Sequence, residues 1–181
     1  MKRLRLMVAM MLVLSGMTAC AIANDISVFG GSPFPHAHSN GGEYGQRSGG
    51  WEAGASYSMP IKKGLDFYVE GGYHQLPNAV TYKWLSSMKV LEGSANLKIR
   101  TCDRHALKPY VLLGVGLADI SFLIDTGVTH VTMSSTEFAI RGGGGFDYIT
   151  GKKWNLFIEG LLYETINLDM IPVRAGIRLP L

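Results

Sequence analysis

The sequence predicts an all-β fold: an eight-stranded antiparallel up-and-down transmembrane β-barrel with its apolar side chains turned outward. Three observations carry that expectation. Segment after segment of the 181 residues alternates apolar and polar with period two, the pattern of strands that present one face to each of two environments. The links between those segments read roughly long, short, long, short, as in consecutive hairpins that share one rim of a closed sheet. The polar faces mix glycine and serine with their charges, which suits the narrow interior of eight strands; a wetted exterior is more usually filled with lysine and glutamate.

The first 23 residues stand outside that barrel. Lys2, Arg3 and Arg5 form a basic start, Leu6 to Leu14 an apolar core, and Ser15 to Ala23 a mostly small stretch that ends in Ala21-Ile22-Ala23. This is the layout of a cleavable secretory signal peptide. It divides the chain into a signal peptide, 1–23, and one barrel domain, 24–181. Met17-Thr18-Ala19-Cys20 also resembles a lipoprotein signal box, which would place a lipid on Cys20. Cleavage after Ala23 instead removes Cys20 and leaves Cys102 as the single thiol.

Charge and composition narrow the function classes. Lysine and arginine total 17 against 14 acidic residues, and the excess of three lies wholly in the signal segment, so the remaining chain balances 14 against 14. A neutral body has no bulk field for steering onto nucleic acid, and no nucleic-acid partner is expected. Two cysteines cannot make a disulfide scaffold or a four-thiolate metal centre. No cofactor or metal is expected.

The strands follow in order. A short opening strand is expected near Ile26–Gly31. In Gly50–Met59 the apolar set is Trp51, Ala53, Ala55, Tyr57 and Met59; in Leu65–His74 it is Leu65, Phe67, Val69, Gly71 and Tyr73; in Leu91–Arg100 it is Leu91, Gly93, Ala95, Leu97 and Ile99. Tyr110–Phe122 and Trp154–Glu164 are apolar on both faces over part of their length, with Asp119 and Glu159 taken to mark the polar side. Glu137–Tyr148 and Ile171–Leu181 return to plain alternation. Long links are expected at Ser32–Gly49, Gln75–Ser87 and Asp125–Ser135. Short ones are expected at Pro60–Gly64, Thr101–Lys108 and Thr150–Lys153, and a medium one at Thr165–Asp169.

Aromatic residues recur near the ends of the apolar faces, at Trp51, Tyr57, Phe67, Tyr73, Phe146, Tyr148 and Trp154, where a membrane interface places its girdles. Lipid cannot solvate charge, so the ionised set must look inward. The expected lumen network is Glu52, Asp66, Glu70, Glu92, Asp119, Glu137, Asp147 and Glu159, with Lys98, Arg100, Arg141, Arg174 and Arg178. Enclosed charges must pair or meet water, so this set is expected to plug the lumen with salt bridges and hydrogen bonds. A narrow cation-favouring path through the mostly acidic interior is the alternative.

Two further motifs were weighed as sites. His36-Ala37-His38-Ser39-Asn40 lies in the first long link. A histidine activates a neighbouring serine only if a third group orients it, and the expectation is a polar surface loop. The run Gly142–Gly145 lies inside an alternating strand, and Gly151-Lys152-Lys153 lacks the Ser or Thr of a phosphate loop. Close strand packing is the expected role of those glycines.

Arg174-x-Gly176-x-x-Leu179-x-Leu181 resembles the C-terminal insertion signal that barrel-assembly machinery recognises in a final strand, although Pro180 removes one ladder donor there. Lys108-Pro109-Tyr110-Val111 leading to Gly114-x-Gly116, Gly143-x-Gly145-Phe146-Asp147-Tyr148 and Phe157-x-Glu159-Gly160 resemble the outer-membrane β-barrel domain family of small eight-stranded bacterial proteins. The resemblance implies export to the bacterial outer membrane and contact with outer-membrane lipid, lipopolysaccharide and the assembly machinery. It also implies a structural or surface-interaction role, without enzymatic activity, for an extracellular ligand the loops do not identify. The His-Ser pair is similar to that of outer-membrane lipid A deacylases, and a lipid A-modifying enzyme is one alternative. A soluble lipocalin-like barrel, with the faces reversed, is another.

Overall fold

The computed structural model describes residues 25–36, 49–76, 85–100, 106–125, 130–150, 153–166 and 168–181. The expected signal peptide with Cys20, residues 37–40 of the His-Ser motif, Cys102 and Lys152 lie outside the described residues.

Eight strands form one closed barrel in chain order: β1 (Asp25–His36), β2 (Trp51–Lys62), β3 (Leu65–Leu76), β4 (Leu85–Arg100), β5 (Leu107–Asp125), β6 (His130–Ile149), β7 (Asn155–Glu164) and β8 (Asp169–Pro180). Every neighbour pair is antiparallel, and β1 pairs with β8 from Asp25↔Pro180 to His36↔Asp169. Closure leaves no sheet edge along the barrel wall, so the backbone donors and acceptors of that wall pair internally. The tightest link joins β2 to β3 through Lys63 and Gly64, where Gly64 takes φ +77°, a left-handed conformation open to glycine at little cost.

The structure differs from the expected boundaries in one instructive place. Asp125–Ser135 was expected to be a long link; instead β5 and β6 run on until only residues 126–129 separate them. The alternation fades over this stretch because both faces of the hairpin leave the apolar belt, so a strand there has no hydrophobic period to display. Val131 and Thr132, both β-branched, keep the strand propensity.

Burial assigns the faces. The outward row of β5 reads Leu107, Pro109, Val111, Leu113, Val115 and Leu117, and that of β6 reads Tyr148, Phe146, Gly144, Gly142, Ile140 and Phe138. Leu91, Leu97 and Ile99 on β4, Ile158 and Leu162 on β7, and Val173 and Ile177 on β8 continue the same surface, all of them exposed. Ten steps of ~3.3 Å, tilted by roughly 40°, make this belt about 25 Å tall, the height of a membrane barrel's apolar band.

The wall is locally irregular: the register shifts between Pro60 and Lys62 on β2 and between Leu85 and Ser87 on β4, and the β7–β8 ladder is interrupted. Pro33 on β1 faces Pro172 on β8, both fully buried, and the β7–β8 ladder keeps one register but lacks pairs between Gly160↔Val173 and Tyr163↔Met170. Proline has no N–H to give, which accounts for the break in that ladder at Pro172. At Pro180 β8 is still paired, opposite Asp25 of β1.

Candidate functional site

The lumen is built from the inward face of every strand. Near the rim that carries the short turns, Arg178 donates from Nη1 to Asp147 Oδ1 at 2.6 Å and from Nε to Ser27 Oγ at 3.2 Å. Lys98 bonds the other oxygen of Asp147 and stands 3.8 Å from the centre of the Tyr110 ring. Tyr110 in turn donates its hydroxyl to Glu159 at 2.8 Å. Asp66 and Arg100 form a separate pair at the same end.

At mid-height Arg174 is the hub. Its Nε contacts Glu159, and its two terminal nitrogens reach both oxygens of Glu70 at 2.6 and 2.7 Å. Glu70 is also ion-paired with Arg141 Nη1 at 2.7 Å, and that nitrogen donates to Glu92 at 3.2 Å and to the Ser94 hydroxyl at 2.7 Å. His74 then bridges two carboxylates, with Nδ1 2.9 Å from Glu52 and Nε2 3.4 Å from Glu92. Through these links, charged and polar groups from β1 to β8 form one continuous chain across the barrel. Paired and hydrogen-bonded charges of this kind tolerate removal from water; single ones do not.

Aromatic rings fill the space between the charges. Phe29 lies opposite Gly54 on one side and Gly176 on the other, beneath the Arg174 guanidinium at 4.0 Å. A side chain at Gly176 would meet the Phe157 ring, since a Cβ built there sits 2.6 Å from two ring carbons. Glycine on one strand thus makes room for a ring on its neighbour, and the ring supports an arginine or lysine in the layer above or below.

Beyond His74, toward the long-link rim, the lumen turns apolar. Leu76, Met88, Val90, Ala118, Ile120, Ala139, Tyr163, Leu168 and Met170 form a buried cluster there. This explains why Tyr110–Phe122 and Trp154–Glu164 looked apolar on both sides: one side faces outward and the other helps close the lumen.

Twelve of the thirteen expected network residues point inward: Glu52, Asp66, Glu70, Glu92, Lys98, Arg100, Glu137, Arg141, Asp147, Glu159, Arg174 and Arg178. Asp119 does not. It lies between Ala118 and Ile120, both fully buried, and so falls on the outer face, level with Thr136 of β6 and just past Leu117, where the belt ends. The inward neighbours are apolar at that height because they belong to the closing cluster, so polarity no longer marks the lumen side. The sequence reading also missed His74, Tyr110 and Ser94. His74 and Ser94 sit at the inward parity of strands whose carboxylates mark the lumen side, and that parity was the available signal; on β5 the carboxylate Asp119 marks the opposite face, so Tyr110 had no such signal. Of the expected insertion motif, Arg174 and Gly176 face inward, while Leu179 and Leu181 are exposed on the outer surface.

A second feature rises above the barrel. β3 ends at Leu76 opposite Met88 and β7 ends at Glu164 opposite Ile140, yet β5 and β6 continue in register to Asp125↔His130. From His130 to Ala139, β6 has β5 as its only strand partner among the described residues. Val131 and Met133 project there, 47% and 57% exposed.

Neither a protein-family model nor a curated protein sequence matches the chain. Solved structures do. It is similar to Neisserial surface protein A at 15% identity over 87% of this chain and 97% of that one, with a TM-score of 0.63. The attachment invasion locus protein Ail of Yersinia pestis matches at 12% identity over 90% and 100%, TM-score 0.59. The outer membrane enzyme PagL matches at 16% identity over 87% and 99%, TM-score 0.50. The shared fold is that of small eight-stranded outer-membrane β-barrels.

Proposed function

We propose that this protein is a non-enzymatic bacterial outer-membrane barrel with a structural or surface-interaction role. The observation that carries the reading is the division of labour between lumen and hairpin. Among the described residues the interior is filled by a continuous polar chain and capped by an apolar cluster, which leaves no open path between them. The β5–β6 hairpin extends past the belt and leaves one edge of β6 without a strand partner among the described residues. An unpaired edge is a template on which an extended segment of another protein can add a strand. The fold alone does not decide the role, since a surface protein and an enzyme share it.

The location is tested by fractionation: the expressed protein is expected in the outer-membrane fraction, with heat-modifiable gel mobility, and recovery in the soluble periplasm would overturn it. The orientation is tested in a Cys102→Ser background. Ser134→Cys is expected to react with a membrane-impermeant maleimide on intact cells, and Lys153→Cys only after permeabilisation. Silence in a planar bilayer supports the filled lumen; steady cation conductance would favour the narrow channel instead. Release of a fatty acid on incubation with lipopolysaccharide would overturn the non-enzymatic reading.

A further inference from the structure

We propose that the outer wall over β6, β7 and β8 holds a selective site for an anionic phospholipid of the leaflet at the short-turn rim. The site rests on the membrane reading above. Leu107, Phe146, Tyr148, Ile158, Ala175 and Ile177 line an apolar groove of about 430 Å³ on the barrel's exterior, a volume in the range of roughly 300–1,000 Å³ typical of ligand pockets. Its shape follows from the register. Tyr148, Leu156 and Ile177 form one outward row, and Phe146, Ile158 and Ala175 the next, so large rings stand on one side and the small Ala175 lowers the other. Such a trough accepts a length of acyl chain better than the even surface of branched residues along β5, Val111 to Leu117.

The head of the lipid is specified by the turn above it. Tyr148↔Leu156 is followed by Ile149↔Asn155, and the β6–β7 turn beyond carries the exposed Lys153 beside Trp154. No carboxylate stands among the described outward residues around the groove. One ammonium at the membrane surface favours an anionic over a zwitterionic headgroup by about fivefold.

The test uses the full barrel in vesicles with Trp154 as sole tryptophan, through Trp51→Phe and Trp84→Phe. Brominated phosphatidylglycerol, diluted in unlabelled phosphatidylcholine, is expected to quench Trp154 with about fivefold higher relative affinity than brominated phosphatidylcholine. Lys153→Gln should abolish the preference, and Ala175→Phe, which fills the trough from the lipid side, should weaken quenching by both lipids. A companion protein with Trp51 as sole tryptophan, at the opposite rim, should show no preference. Equal quenching of Trp154 by both lipids overturns the site. So does quenching of Trp51 but not Trp154, which would mean that another protein surface covers the groove. Quenching of neither tryptophan overturns the membrane reading itself, and the site with it.

Discussion

Arg174 crosses the lumen from β8 to β3 and holds both carboxylate oxygens of Glu70 with its two terminal nitrogens. The fork matches the carboxylate plane, the geometry in which arginine is not replaceable by lysine. Because Glu70 also receives Arg141, this one carboxylate joins two buried guanidinium groups, which Glu159 and Glu92 help to balance.

Glu70→Ala is therefore expected to cost about 3–5 kcal/mol, the usual penalty for stranding a buried charge. Urea unfolding of the reconstituted barrel, followed by loss of the fast-migrating form on gels, measures it. Arg174→Lys should lose a substantial part of the same stability while conserving charge. If Glu70→Ala shifts the midpoint no more than an exposed substitution does, the hub assignment fails.

The outer belt gives a prediction of opposite location. Leu113→Arg places a charge near the middle of the apolar rows and is expected to destabilise the inserted barrel by roughly 2–4 kcal/mol. Asp119→Asn, at the end of the same row, should stay within about 0.5 kcal/mol. A lumenal Asp119 would instead behave like Glu70, so the pair of variants reads out which face each residue occupies.

Gly176→Ala is expected to impair folding, because the added methyl meets Phe157 and also the carbonyl of Val28. Phe157→Leu in the same chain should recover part of the folded yield, since it relieves the ring contact and leaves the carbonyl one. Full recovery, or none, would contradict this geometry. The measurement is the folded fraction after dilution into detergent.

In the apolar cap, Ile120→Ala should cost about 2–5 kcal/mol through the cavity it leaves. It should leave the bilayer silent, because the charged layers beneath it still fill the barrel. Current through this variant would mean that the cap alone seals the protein.

The closed barrel and most of its interior were legible because alternation survives wherever one face meets an apolar environment and the other does not. Trp51 beside Glu52, and Leu97 beside Lys98, declare their faces without a structure. Legibility failed where that contrast vanished. At Asp119 both faces lie near the belt's end and the inward side is greasy, so charge misled. The outward parity of Val111, Leu113, Val115 and Leu117 against Gly114 and Gly116 would have placed it correctly. Along Val131–Thr136 the chain is a strand with no apolar environment to contrast, and composition alone made it look like a loop. The pairing of Arg174 with Glu70, 104 positions apart in the chain, depends on barrel curvature and has no local trace.

The break at Pro172 and the two arginines of β8 bear on how the molecule is completed. Asp147, Glu159 and Glu70 sit on three different strands, and each takes a guanidinium from the eighth, Asp147 in addition to Lys98 and Glu70 in addition to Arg141. Until β8 docks against both β7 and β1, these acids have no guanidinium from that side and the cylinder cannot exclude water. The strand that closes the cylinder is thus also the one that completes its charge pairing.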